Sequence, residues 1–236
     1  MKPTVIVALI GLLAHTLSAA DAKDTFTSAT KQLADKPNYS WTSSTKEADG
    51  SSGRLGPIEG KAEKGGLTYL SFSVGGGGIQ VEVYMNGEKG AAKALEGWQT
   101  FDEIAETSGA AAAIVRFLRS YKAPVAESAG LAEKAKELKE AEGTLSGELK
   151  EDAVKDLLLR GARRREGQDP PKIADAKGSI KFWIKDGTLT KYELNVQGKV
   201  TRGDRDSDVN RTTTVEIKDI GATKLEVPAE AKEKMK

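Results

Sequence analysis

The stretch "SIKFWIKDGTLTKYELNV" (Ser179–Val196) decides how this chain folds. Two alternating runs flank Asp186-Gly187, a strong hairpin signal. A two-residue turn would set Ile184 opposite Leu189 and Phe182 opposite Lys191, mixing charge into the apolar face. A three-residue loop, Lys185-Asp186-Gly187 with the glycine left-handed, sets Ile184 opposite Thr188 and Ile180 opposite Tyr192. Ile180, Phe182, Ile184, Tyr192, Leu194 and Val196 then share one face, and Lys181, Lys185, Lys191, Glu193 and Asn195 the other. A slip of one residue would send a whole apolar set into water, so the three-residue register is the one expected. Trp183 and Leu189 are left facing each other on the polar side, as the seat of an outer loop or a small contact patch. Burying the six wall residues is worth about 9–18 kcal/mol at roughly 1.5–3 each, so something must cover them.

Upstream lies a second patterned region. In "LTYLSFSV", Leu70, Phe72 and Val74 share a face; in "IQVEVYM", Ile79, Val81, Val83 and Met85 do. The connecting Gly75–Gly78 allows Val74 opposite Ile79 and Phe72 opposite Val81, so the two apolar faces coincide. With turns at Asn86-Gly87 and Glu96-Gly97, residues 57–100 read as a β-meander. The tetrad lacks the Gly-Lys-Ser/Thr ending of a phosphate loop and is a turn.

The period changes after Thr100, where Thr100-x-x-Glu103 spells a capping box. "AAAAIVRFLRSY" sets Ile114, Phe117, Leu118 and Tyr121 at helical spacing, and "SAGLAEKAKELKEAE" reads as a charged amphipathic helix. A short strand at Thr144–Leu149 follows, then a helix in "KEDAVKDLLLRGARRR" with Val154, Leu157 and Leu158 inward, acidic residues first and arginines last, as the helix dipole favours. A helix is also expected at Asp24–Ala34, a strand at Tyr39–Ser43 and a flexible loop at 45–56. After the opening hairpin, a further strand should place Val209, Arg211, Thr213, Val215 and Ile217 on one face. "TKLEVP" should form a last short strand stopped by Pro228. Strands, then helices, then strands describe an α+β protein: one large antiparallel sheet with helices against one face.

The first 20 residues have Lys2, an apolar run from Val5 to Leu13 and small residues at Ser18–Ala20, the pattern of a secretory signal peptide cut after Ala20, or alternatively after Ala22. The run is too short for a membrane anchor. The expected organisation is therefore a signal peptide at 1–20 and a single domain at 21–236, in which 101–161 is a helical insertion covering the sheet. A periplasmic or secreted location follows, with no stable membrane insertion. Without residues 1–20, which hold Lys2 and the one histidine, His15, basic and acidic side chains number 35 each. That balance argues against a nucleic-acid partner, which requires a clustered positive surface. Lacking Cys and, once processed, His, the chain has no Ser-His-Asp triad, Cys-His pair or His- or Cys-ligated zinc. No enzyme activity and no cofactor are expected.

The element order now resembles a known family. A signal peptide, a short helix, a strand with "NYSW", a meander, a helical insertion and then "KFWIKDGTLTKYEL…TTTVEIKDIGATKLEVP" look like the LolA/LppX-like lipoprotein-carrier superfamily. The resemblance implies a strongly curved antiparallel sheet, an unclosed half-barrel, with helices plugging its concave face, and acyl chains or lipidated cargo held between the two. The lipidated cysteine usual in the mycobacterial branch is absent.

Other motifs have plainer readings. "GDRDSDVN" alternates Asp204, Asp206, Asp208 and Asn210, but an EF-hand starting at Asp204 would need Gly and Glu where Val209 and Val215 stand, so it reads as a polar hairpin loop and only a weak calcium candidate. Arg202-Gly203-Asp204 spells an adhesion tripeptide short enough to arise by chance. Arg160–Arg165 could face an anionic headgroup, but reads more simply as a helix C-terminus entering a solvated loop. Ser43-x-x-Lys46 lacks the companions of a Ser-Lys nucleophile. Asn38-Tyr39-Ser40 and Asn210-Arg211-Thr212 are glycosylation sequons of consequence only in a eukaryotic secretory host.

Three functions stay open. The first is an exported carrier or sensor of a lipid, acyl chain or other apolar ligand, held on a wall of Leu70, Phe72, Val81, Val83, Ile180, Phe182, Ile184, Tyr192, Leu194 and Val196. The second is an envelope structural or protein-interaction module with a sealed core. The third is a hydrolase using paired carboxylates, which nothing in the sequence locates.

Overall fold

The computed structural model describes residues 19–51, 55–75, 78–94, 97–107, 109–159 and 170–236. The expected signal peptide, up to Ser18, and the Arg160–Arg165 run lie outside them. Alternating side chains build one sheet from β1 (Asn38–Glu47), β2 (Ile58–Glu63), β3 (Thr68–Val74), β4 (Ile79–Asn86), β5 (Lys89–Ala94), β6 (Gly97–Thr100), β7 (Lys139–Ala141), β8 (Thr144–Glu148), β9 (Lys172–Lys185), β10 (Thr188–Arg202) and β11 (Arg205–Lys218). Its order is β6-β5-β4-β3-β2-β1-β11-β10-β9-β8-β7. Every neighbouring pair is antiparallel, and β6 and β7 remain as edges. The fold is α+β, an unclosed half-barrel.

Helices α1 (Ala19–Ala34), α2 (Phe101–Ala105), α3 (Ala110–Ser120), α4 (Pro124–Lys134) and α5 (Glu151–Leu159) bring apolar side chains to the main core; α6 (Ala229–Lys234) joins a second cluster on the opposite face. The capping box at the start of α2 is formed: Glu103 N–H donates to Thr100 Oγ1 at 3.0 Å, and Thr100 N–H to Glu103 Oε2 at 2.7 Å. The meander register is as read from the sequence, with Val74 opposite Ile79, Phe72 opposite Val81 and Leu70 opposite Val83.

Four expectations are corrected. The opening hairpin turns on two residues, Asp186 (φ 50°) and Gly187 (φ 72°), so Lys185 pairs with Thr188 and Ile184 with Leu189. A register shift between Leu189 and Lys191, at Thr190, then resets the ladder, pairing Phe182 with Tyr192 and Ile180 with Leu194. The turn alone would have put charge inward; the bulged residue restores the face, so the wall is as expected although its pairs are displaced by two residues. Leu189 consequently joins the core, while Trp183 stays on the outer face with the Lys191 ammonium 4.9 Å from its ring centre.

The charged segment 128–142 is not one helix. Pro124 starts α4 earlier, a position where its missing N–H costs nothing, and α4 ends at Lys134. Lys139–Ala141 pair with β8 through a turn at Glu142 (φ 53°) and Gly143 (φ 72°), so 101–161 carries a hairpin as well as helices. "TKLEVP" forms no strand: β1, beside which the segment starts, is already flanked by β2 and β11. It crosses the outer face of the meander instead. Finally, α1 begins at Ala19 rather than Asp24.

Candidate functional site

The expected wall lies on the concave face in two patches. Leu70, Phe72, Val81 and Val83 sit on β3 and β4; Ile180, Phe182, Tyr192 and Val196 sit on β9 and β10. All eight are buried, while Ile184 and Leu194 are half-buried. Between the patches run β2, β1 and β11, where Trp41 pairs with Gly60 on one side and Ile217 on the other. A Cβ on Gly60 would stand 2.1 Å from the Trp41 ring, so only glycine leaves room for the indole to fill the middle of the wall.

The β9–β10 patch is tightly covered. Phe26 of α1 stacks on Phe182 at 4.4 Å between centroids, and Phe182 lies 6.3 Å from Tyr192. Gly178 and Gly198 let Val154 and Leu158 of α5 approach, since a Cβ there would lie 2.9 Å and 2.6 Å from those side chains.

The start of α4 is pinned to the sheet by polar groups. Tyr192 O–H donates to Glu127 Oε2 at 2.7 Å, and Trp41 Nε1–H donates to Tyr121 Oη at 3.1 Å. Burial pushes the Tyr39 hydroxyl up to about 12, opposed by a backbone hydrogen bond from Val125. Tyr121 and Tyr192 are raised as well, by burial first and then by the charge of Glu127.

The meander patch is covered differently. Helix α3 lies against α2, its Val115 and Leu118 are buried in the main core, and Phe117 packs edge-on to Phe72 at 6.0 Å and to Tyr121 at 5.6 Å. Ile58, Val74 and Ile79 on the sheet and Ile114 and Phe117 on α3 are all half-buried. Beside them the concave face turns polar: Thr45 and Thr213 hydroxyls are 2.9 Å apart, and Arg211 Nη2 donates to the Leu157 carbonyl at 2.8 Å. This half-covered strip, apolar with a polar margin, is the candidate site.

Sequence reasoning placed Phe117, Val74 and Ile79 on the right faces but left this strip unmarked, along with the roles of Phe26 and Glu127 over β9 and β10 and of Trp41 between the patches. Alternation reports which face a residue uses, and nothing in it reports how far the opposite helix stands away. The calcium candidates lie elsewhere. Asp204 is in the two-residue β10–β11 turn, while Asp206 belongs to β11 and is held by Lys199 at 2.9 Å and Thr201 at 2.7 Å. Among the described residues no group of three or more acidic or histidine side chains could hold a metal ion. Among them, too, no helix is long and apolar enough to cross a membrane.

No family model matches the chain, and neither does any curated protein. Solved structures do. The lipoprotein LppX of Mycobacterium tuberculosis aligns over 89% of this chain and 99% of its own at 8% identity and a TM-score of 0.45. LprF from Mycobacterium bovis aligns over 91% and 99% at 10% identity and 0.46. A LolA-superfamily protein from Nitrosomonas europaea aligns over 89% and 96% at 9% identity and 0.29.

Proposed function

We propose that this is an exported, non-enzymatic binding protein that takes one elongated apolar or amphipathic ligand, such as a lipid or acyl chain, between the meander wall and α3. The observation that carries this reading is the strip of half-buried Ile58, Val74 and Ile79 on the sheet, with half-buried Ile114 and Phe117 on α3. On β9 and β10, by contrast, α1 and α5 close onto the strands. The polar margin at Thr45, Thr213 and Arg211 suits the headgroup end of such a ligand. Of the ten expected wall residues, Phe72 and Val81 floor the site, backed by Leu70 and Val83; those of β9 and β10 serve as core. Export is part of the proposal, with Asp21 as first residue, because a cut after Ala22 would remove a fully buried side chain of α1.

Titration with a fluorescent fatty acid, with native mass spectrometry of gently purified protein alongside, tests the reading. One saturable site is expected, weakened at least tenfold by Ile79→Asp and unchanged by Trp183→Ala on the outer face. A clean ligand-free mass with no saturable binding would overturn it and leave an envelope structural or protein-interaction module with a sealed core.

A further inference from the structure

Two helices lie on the edge strand β6 and its neighbour β5, one on each face of the sheet. On the outer face, residues 223–236 form a strap over Tyr69, Tyr84 and Trp98, whose ring centroids are 4.9 and 5.5 Å apart. Leu225 and Val227 come from its extended part, and Ala231 and Met235 from α6. Ala231, Tyr84 and Trp98 are buried, so the strap is an integral part of the fold. Glu226 O accepts from Tyr84 Oη and Lys236 O from Lys89 Nζ, both at 2.8 Å.

On the concave face, α2 follows directly from β6. Its first residue, Phe101, is buried over β5, where a Cβ on Gly90 would stand 2.3 Å from the ring. With five residues, α2 is too short to hold a helical form by itself and depends on ties to its surroundings.

Strap and α2 meet around the β6 edge. Lys234 Nζ of α6 contacts both carboxylate oxygens of Glu103, at 2.7 and 3.0 Å. Oε2 of the same carboxylate also accepts Thr100 N–H and closes the capping box of α2. Lys234 is the chief reason that this carboxyl is held below its usual range. One residue away, Asp102 pairs with Arg119 of α3. A chain of charged contacts therefore runs from the outer face through α2 to α3, the helix that carries Ile114 and Phe117. An exposed ion pair contributes little when two free side chains must be ordered to make it. Here the seated α6 fixes where the lysine starts and the cap has already ordered the carboxylate, so less freedom is lost.

We propose that the C-terminal strap is a clasp: through Lys234 and Glu103 it sets, from the outer face, how firmly α2 and α3 are held on the concave face. Its effect on ligand affinity rests on the function proposed above; the clasp itself does not.

Hydrogen exchange on the ligand-free full chain is the test. Lys234→Gln removes the charge and leaves the apolar seat of the strap intact. Amides of 101–106 and 110–120 should exchange about threefold faster, the size expected of one exposed ion pair, while those of 225–233, β9 and β10 keep their rates. Lys234→Arg, which keeps the charge, should match the parent. Glu103→Gln should speed exchange further, because it weakens the cap as well, and adding Lys234→Gln to it should change nothing more. Unchanged rates at 110–120 in Lys234→Gln, or fully additive effects in the double variant, would overturn the clasp. In the fluorescent fatty-acid titration, Lys234→Gln should bind about threefold more weakly than the parent. Equal affinity would overturn the clasp's hold on the site. A parent that binds nothing would instead overturn the proposed function, with the clasp decided by the exchange rates alone.

Discussion

On the β9–β10 half of the concave face, glycines at 178 and 198 and a bulge at Thr190 let α1 and α5 sink onto the strands, and Phe182, Ile180 and Leu189 are wholly buried. The meander half has equally apolar strands, and α3 buries Val115 and Leu118 in the core, yet Ile58, Val74 and Ile79 stay half-covered beside half-buried Ile114 and Phe117. The two halves differ in how completely the cover buries the strands. A partly covered side chain forfeits dispersion contacts that close packing would supply. The sealed half carries the stability, and the half-covered one is where a ligand can be admitted at small cost.

The widest gap between the halves should appear on truncation. Phe182→Ala should destabilise by about 3–5 kcal/mol in chemical denaturation, because a cavity opens in packed surroundings. Phe117→Ala should cost only about 1–2 kcal/mol, since the space it vacates is open to water. Equal penalties would erase the distinction drawn here.

The polar pin between the halves should fail in alkali. Tyr39 has a folded pKa of about 12, above its unfolded value near 10, so the folded state holds the proton longer. Its contribution is complete below pH 10 and is lost as pH rises towards 12, amounting to about 2–3 kcal/mol by linkage. Tyr121 and Tyr192 shift the same way and add to the loss. Tyrosinate absorbance should therefore rise together with unfolding, near pH 11 or above. Gradual ionisation of a folded protein near pH 10 would show that these hydroxyls are exposed.

A smaller effect should sharpen the contrast. Ile79→Ser, on the half-covered strip, should change stability by less than about 1 kcal/mol yet weaken fatty-acid binding several-fold.

Much of this architecture is legible in the residues themselves. Alternation in 68–85 defines which side chains face inward, and Gly75–Gly78 allows the register that makes the two apolar faces coincide, so Val74 meets Ile79. Thr100 and Glu103 define a helix start through hydrogen bonds three residues apart. These are local rules, met by nearest neighbours along the chain or across a short turn. The wall of the opening hairpin kept its face for a different reason: the Asp186-Gly187 turn and the Thr190 bulge each shift the register by one and so restore parity together, while Leu189, between them, changes side.

Where the partner is distant, only the tertiary structure decides. Residues 139–141 became a strand because β8 offered an open edge, and 223–228 became a strap because β1, where the segment starts, is paired on both sides. Gly60 matters only because the Trp41 indole lies over it, and the meander strip is half-covered only because the helices above it leave Ile58, Val74 and Ile79 partly exposed. In each case free backbone edges and the distance between layers determine the outcome, and both are set by the whole chain after its local pieces have formed.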